Sequence, residues 1–287
     1  MTVPPRGGER PLLAIENLKV TYPGPAGEIA AIRGLSFVLG RERLGIVGES
    51  GSGKSSAGRA IMGLIHPPGR IAADRLQLGE TDLLACRPAE MARLRGRRMA
   101  MILQDPKYSL NPVMRVGAQI AEVHRRHFAS TKAEARAAAL SILDSVRIND
   151  PEHVYGLYPH QVSGGMGQRV MIAAMLIAGP EVLIADEPTS ALDAAVQQQL
   201  LAILDDLVAS RGMGLILISH NLRLVSSFCD RVLVMYGGQV LEECRASDLW
   251  RARHPYTRGL LSALPDLAHP RALLPQLQRD AGWLDAQ

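Results

Sequence analysis

Three observations predict an α/β fold. Short apolar segments alternate with amphipathic ones along most of the 287 residues, the order expected of a parallel sheet whose strands are joined by helices. One apolar segment, Leu44-Gly45-Ile46-Val47, runs directly into Gly48-Glu49-Ser50-Gly51-Ser52-Gly53-Lys54-Ser55, which fits the G-x-x-x-x-G-K-[ST] phosphate loop. The stretch from Pro106 to about Tyr158 is helical in character and divides the strands into two sets. The prediction is a parallel core sheet with an antiparallel β piece before it and an all-helical insertion between its halves.

Residues 12–22 alternate in part, with Leu13, Ile15, Leu18 and Val20 on one side, and read as an opening strand. Pro23-Gly24-Pro25-Ala26-Gly27 turns it back. Residues 29–32 and 35–39 are expected to be two further antiparallel strands. After the phosphate loop, residues 55–65 read as a helix that His66-Pro67-Pro68-Gly69 stops. Residues 75–79 give a strand and turn, 88–95 a short helix, and 98–103 a buried strand ending at Gln104-Asp105-Pro106. Within the helical stretch, Thr131-Lys132-Ala133-Glu134 is a capping box, followed by apolar residues at 135, 138, 139, 142, 143 and 146. Strands return at Val182-Leu183-Ile184-Ala185. Asp193 is placed to cap a helix with the stripe Val196, Leu200, Ile203, Leu204 and Leu207. A strand over 212–219, a helix, a strand over 232–236 and a Gly237-Gly238 hairpin complete the order.

The phosphate loop carries its own chemistry. Its glycines let backbone N–H groups turn inward around phosphates, and the helix amino end adds partial positive charge. Lys54 supplies a point charge for the terminal phosphates, the Ser55 hydroxyl can ligate Mg²⁺, and Ser56 extends the nucleotide-contacting run. Asp186 and Glu187 stand at the carboxyl end of a buried strand, where open α/β sheets gather ligand groups. Asp186 suits Mg²⁺ and Glu187 suits polarising an attacking water, a division of labour that phosphoryl transfer favours. Gln104 and His220 each follow a strand and are candidates to sense the γ-phosphate, Gln104 also as part of the Mg²⁺ shell. Tyr22, at a strand end before a Pro/Gly turn, is a candidate for stacking on a base. Ser163-Gly164-Gly165, opening a long apolar helix, offers a second anion site.

A formal net charge of +4 is a mild excess. The clusters Arg93-Leu94-Arg95-Gly96-Arg97-Arg98 and His124-Arg125-Arg126-His127 read as solvated faces, since no aromatics interleave them as a nucleic-acid surface requires. Cys86, Cys229 and Cys244 are too scattered for a disulfide framework or metal site and read as reduced thiols. No apolar run is long enough to cross a bilayer, and Met1 to Gly8 lacks the apolar centre of a signal peptide. A membrane role would therefore come through a partner. Residues 266–287, with Trp283, read as a packed end.

Gly48–Ser55, Gln104, Ser163-Gly164-Gly165, Asp186-Glu187, Ser190-Ala191-Leu192-Asp193 and His220 resemble, in order and spacing, the nucleotide-binding subunits of ABC transporters, over residues 12–265. The resemblance implies a P-loop NTPase (RecA-like) core. Residues 1–105 and 175–245 would form the ATP-binding core with its antiparallel β subdomain, 106–174 a helical signature subdomain, and 246–287 a tail. It further implies that Tyr22 stacks on adenine. Lys54, Gln104, Glu187 and His220 would serve catalysis, and Ser55, Gln104 and Asp186 would hold Mg²⁺. A second ATPase subunit would complete the site, each ATP lying between one phosphate loop and the partner's Ser-Gly-Gly.

Residues 102–112, Ser163-Gly164-Gly165-Met166 and His254-Pro255-Tyr256-Thr257-Arg258-Gly259-Leu260-Leu261 are similar to the oligopeptide/dipeptide/nickel importer branch. That branch implies two membrane permeases, an extracytoplasmic solute-binding protein and no nucleic-acid partner. It also implies a peripheral position on the cytoplasmic face of the inner membrane and uptake of peptides or a related solute such as a metal chelate. The sequence departs from the pattern at Gly167, where a larger residue is common, and has no cysteine after Cys244 for an iron–sulfur cluster. Two other readings are a soluble ABC ATPase in DNA repair or translation, which lacks its usual second cassette, zinc module or coiled coil here, and a small-molecule kinase. The kinase reading leaves Ser163–Gly165 and Ser190–Asp193 without a role.

Overall fold

The computed structural model describes residues 10–25, 27–103, 110–189, 193–264 and 280–284. Gln104, Ser190-Ala191-Leu192, the amino-terminal arm and residues 265–279 and 285–287 lie outside the described residues. In chain order the elements begin with β1 (Leu13–Gly24), β2 (Gly27–Leu39), β3 (Arg43–Val47), α1 (Lys54–Ile61), β4 (Arg70–Ala72), β5 (Arg75–Leu78) and β6 (Thr81–Asp82). There follow α2 (Pro88–Arg97), β7 (Met99–Ile102), α3 (Val116–His127), α4 (Lys132–Ser145), α5 (Pro151–Gly156), α6 (Gly164–Leu176), β8 (Val182–Asp186) and α7 (Ala194–Arg211). The last are β9 (Gly214–Ile218), α8 (Leu222–Phe228), β10 (Arg231–Tyr236), β11 (Gln239–Arg245) and α9 (Pro255–Ser262). The chain packs as two units, Met1–Leu84 with Ile216–Gln287, and Ala85–Leu215.

In the first unit, β1 and β2 form a long antiparallel pair, with Leu13 opposite Leu39 and Gly24 opposite Gly27. Leu13, Ile15, Leu18, Val20, Ile32, Leu35, Phe37 and Leu39 are buried. The sequence suggested two strands where the structure has the single β2. The cause lies at Gly34, whose φ of 98° is open to glycine, and at the facing Asn17, whose N–H donates to Ser36 Oγ at 2.8 Å. These make a bulge, not a turn, and the register shift keeps both Ile15 and Leu18 on the buried side. β4 and β5 also pair with β1. β4 was not legible in sequence, since its three residues alternate exposed and half-buried.

The same unit holds β11, β10, β3 and the last three residues of β9, which are neighbours in a second sheet. β10 runs parallel to β3, with Arg231 beside Leu44 and Val234 beside Val47, and Ser219 N–H donates to Ile46 O at 3.1 Å. The last four residues of β3 and all five of β9 are buried, as expected of parallel strands covered on both faces. At the base of this sheet the Arg231 guanidinium donates to Glu42 Oε1 at 2.7 Å, and also to Glu243 and Val38 O. Burial works against its charge, yet hydrogen bonds and attraction from Glu42 and Glu243 prevail and raise its pKa.

In the second unit, β7 and β8 run parallel and wholly buried. The helices α3, α4, α5 and α6 pack against one another. The Thr131 capping box is present: Glu134 N–H donates to Thr131 Oγ1 at 3.2 Å and Thr131 N–H to Glu134 Oε2 at 2.7 Å. Ala135, Ala139, Ile142, Leu143 and Val146 face the core. The basic clusters are partly tethered. Arg98 donates to both carboxylate oxygens of Glu181 at 2.7 Å. Arg97 donates to Ala178 O at 2.9 Å and lies over the Phe128 ring. His127 is held below its usual pKa, first by burial and then by Arg126 and Arg97. Among the described residues no helix is long and apolar enough to cross a membrane.

Candidate functional site

The first unit contributes the phosphate loop, Tyr22 and His220. The loop leaves the buried end of β3 and turns at Gly53, whose φ of 99° serves as the non-helical cap position of α1. A Cβ on Gly53 would lie 2.5 Å from Ala31 O, so both conformation and space demand glycine there. No side chain caps α1, and the N–H groups of a helix's first turn, with its dipole, favour an anion at that end.

Lys54 is buried. Its ammonium donates to Gly48 O at 2.8 Å, Glu49 O at 2.7 Å and Ser52 Oγ at 3.3 Å, which places the charge inside the arch of the loop. Three further bonds hold that arch. Ser52 N–H donates to Glu49 O at 3.2 Å, Gly238 N–H to Ser52 O at 3.1 Å, and Glu49 N–H to Tyr256 Oη at 3.1 Å. Sequence reasoning missed the last two. Gly237-Gly238 read only as a hairpin and Tyr256 only as part of a family motif, and nothing local marks their contact with a loop about two hundred residues earlier.

Ser50, Gly51 and Ser55 complete the loop, and Ser56 sits half-buried on the first turn of α1. Tyr22 lies on β1, half-buried, with its ring over Gly69. His220 is exposed directly after β9 and emerges at the same end of neighbouring strands as Gly48 follows β3. The unit therefore gathers a backbone cradle, a buried ammonium and a histidine at one sheet edge.

The second unit contributes Asp186, Glu187 and Ser163–Gly165. Asp186 is the buried last residue of β8, and Glu187 follows with a φ of 47°, a left-handed conformation uncommon for a residue with a side chain. Ser163 caps α6, its Oγ accepting from Met166 N–H at 3.3 Å, and both Ser163 and Gly164 are exposed. A Cβ on Gly165 would lie 3.2 Å from Val196 Cγ1, so the starts of α6 and α7 meet. Asp193 caps α7, Oδ1 accepting from Ala195 and Val196 N–H at 3.0 Å. This unit thus pairs an exposed helix start with two carboxylates at a strand end. Gly167 is buried, and a Cβ there would meet only Val162 at 3.7 Å, so the departure at this position costs no packing.

The chain is similar to known proteins in both sequence and fold. The ABC transporter family model matches residues 32–190. The Haemophilus influenzae dipeptide transport ATP-binding protein DppD is 46% identical over 269 residues, 93% of this chain and 82% of that protein. The Salmonella typhimurium oligopeptide transport ATP-binding protein OppD is 45% identical over 258 residues, 89% of this chain and 77% of that one. Among solved structures, the dimeric post-hydrolysis state of the ATP-binding cassette MJ0796, bound to ADP and Pi, superposes with a TM-score of 0.71 at 25% identity. It covers 82% of this chain and 98% of that one. With its phosphate loop, P-loop NTPase fold and near full-length relatives, the chain belongs to the ABC transporter family as one of its ATP-binding, ATP-hydrolysing cassettes.

Proposed function

We propose that the chain is the ATPase subunit of an importer for peptides or a related small solute, coupling ATP binding and hydrolysis to uptake through membrane permeases. The observation that carries this is the 46% identity to the dipeptide transport ATP-binding protein across 93% of the chain.

In this reading the cradle of Gly48–Ser55 and the first turn of α1 holds the ATP phosphates, Lys54 neutralises the terminal ones, and Tyr22 stacks on the adenine. Asp186 and Ser55, with Gln104, hold Mg²⁺. The hard oxygen donors of the buried carboxylate and the helix-start hydroxyl fit that ion, which supplies charge neutralisation at the phosphates. Glu187 polarises the attacking water and His220 contacts the γ-phosphate. Ser163-Gly164-Gly165 reaches the ATP held by a second ATPase subunit, and the exposure of Ser163 and Gly164 suits that use. ATP favours the closed pair and product release reopens it, a switch set by differential affinity. The helical insertion, about residues 106–158, carries the movement from the loop around Gln104 to two permeases, so the chain works peripherally on the cytoplasmic face of the membrane. An extracytoplasmic binding protein supplies the solute.

The test has two parts. The purified chain should hydrolyse ATP only with Mg²⁺ or a similar hard divalent ion. Affinity-tagged chain drawn from solubilised membranes should bring hydrophobic permease subunits with it, and its deletion should abolish uptake of labelled di- or oligopeptides. Recovery of the chain without any membrane subunit, together with undiminished peptide uptake, would overturn the proposal.

A further inference from the structure

The phosphate loop has an attachment that its sequence motif does not describe. Tyr256, on α9, is fully buried, and its hydroxyl accepts the Glu49 N–H across 207 positions of sequence. Glu49 also presents its carbonyl to Lys54 and to Ser52 N–H. One peptide group is therefore held on its N–H side by the tyrosine while the next carbonyl fixes the ammonium.

The tyrosine is itself fixed. Its ring lies 4.7 Å from that of Tyr236 and 5.6 Å from the Trp283 indole. Trp283 also packs edge-on against Tyr236 at 5.6 Å and His254 at 6.1 Å. His254 caps α9, its Nδ1 accepting from Tyr256 N–H at 3.1 Å. The loop that carries His254 is bound in turn by Glu242, which accepts from the N–H groups of Arg253 and His254 at 2.7 and 3.3 Å. Tyr236 immediately precedes Gly237-Gly238, the turn whose Gly238 N–H donates to Ser52 O. Both outer fastenings of the phosphate loop, at Glu49 and at Ser52, thus run back to one aromatic cluster, and a tail residue closes that cluster.

We infer that Tyr256 is a positioning residue for the phosphate loop, and that Trp283 of the C-terminal segment sets it, so that tail and nucleotide site are coupled. The inference rests on the nucleotide-binding role proposed for the loop and adds a route by which the tail tunes nucleotide affinity. Aromatic pairs at these spacings stabilise beyond the area they cover. The backbone bond they aim is worth little by itself. Its effect lies in holding the Glu49 carbonyl, and with it Lys54, where phosphate oxygens arrive.

The experiment uses the full chain. Tyr256→Phe keeps the buried ring and removes the hydroxyl that accepts from Glu49 N–H. It should raise the ADP and ATP dissociation constants roughly two- to tenfold, the range one neutral hydrogen bond commands, with an unchanged far-ultraviolet spectrum and cooperative melting. The chain has two tryptophans, so Trp250→Phe leaves Trp283 as the sole emitter. Nucleotide should then shift its emission, and Tyr256→Phe in that background should blunt the shift. A dissociation constant for Tyr256→Phe equal to that of the unaltered chain, or Trp283 emission indifferent to saturating nucleotide, overturns the coupling while leaving nucleotide binding in place. Failure of the unaltered chain to bind nucleotide removes the site assignment first, and the coupling with it.

Discussion

Replacing Arg231 by Met would test how the sheet beneath the phosphate loop is held. Arg231 opens β10, and its side chain and that of Glu42, just before β3, are 3% and 4% exposed. At 2.7 Å and an effective dielectric near 20, attraction between the two charges is about 6 kcal/mol, offset by the cost of taking both out of water. The net worth of the pair is small, but removing one partner is another matter. Methionine fills the space of the stem and leaves the Glu42 carboxylate buried without its countercharge, which costs about 3–5 kcal/mol. Urea unfolding followed by far-ultraviolet dichroism should show a midpoint lower by about 1 M or more for a slope of roughly 3 kcal/mol per M. Adding Glu42→Gln removes the stranded charge and should restore about half of the loss. A single-variant loss below about 1 kcal/mol, or a double variant whose loss equals the sum of the singles, would refute this account of the network.

Four further outcomes are expected. Glu187→Gln should bind ATP as before yet turn it over roughly 10²–10³-fold more slowly; steady-state phosphate release near the unaltered rate would take Glu187 out of the water-polarising role. Lys54→Ala, which empties the arch of its ammonium, should weaken a fluorescent ATP analogue by roughly 10²-fold or more, and an unchanged titration curve would contradict the cradle. Ser163→Arg should leave ATP binding by the single subunit intact and abolish ATP-dependent dimers, so normal dimers in sedimentation would break the shared-site model. His127 has a depressed pKa, so it favours the folded state above its ordinary value near 6.5 and that contribution is lost as pH falls through the lowered value. His127→Gln should therefore lose less stability than the unaltered chain between pH 7.5 and 5, and equal losses in urea midpoints would show that the ring does not titrate with folding.

Features written into neighbouring residues were legible in the sequence. The phosphate loop, the Thr131 box and the Asp193 cap are local hydrogen-bonding patterns, and each is formed. The buried strands β3, β8 and β9 showed as unbroken apolar runs because both faces are covered. What escaped was long-range or too short to show a period. β6 has two residues and exists because β5 offers it a ladder. Residues 29–32 and 35–39 looked separate because a glycine that permits a bulge leaves the same mark as one that permits a turn. Arg231 and Glu42 carry charges that ordinarily signal a surface, and only their meeting across 189 positions makes burial tolerable. In the candidate site, the phosphate loop with Lys54 and the Asp193 cap followed from sequence, whereas the support of Glu49 by Tyr256 did not.

Gly238 makes the antiparallel sheet and the phosphate loop answerable to each other. Its carbonyl accepts Arg33 N–H from β2 at 2.8 Å while its N–H donates to Ser52 O at 3.1 Å, and a Cβ there would strike Ala31 O at 2.8 Å. A residue with no side chain acts as a rivet through two plates. Through Gly238 the loop is joined to β2, and β1 with Tyr22 shares the ladder of β2. The ring proposed for the base and the amides proposed for the phosphates are therefore tied together by one run of backbone hydrogen bonds.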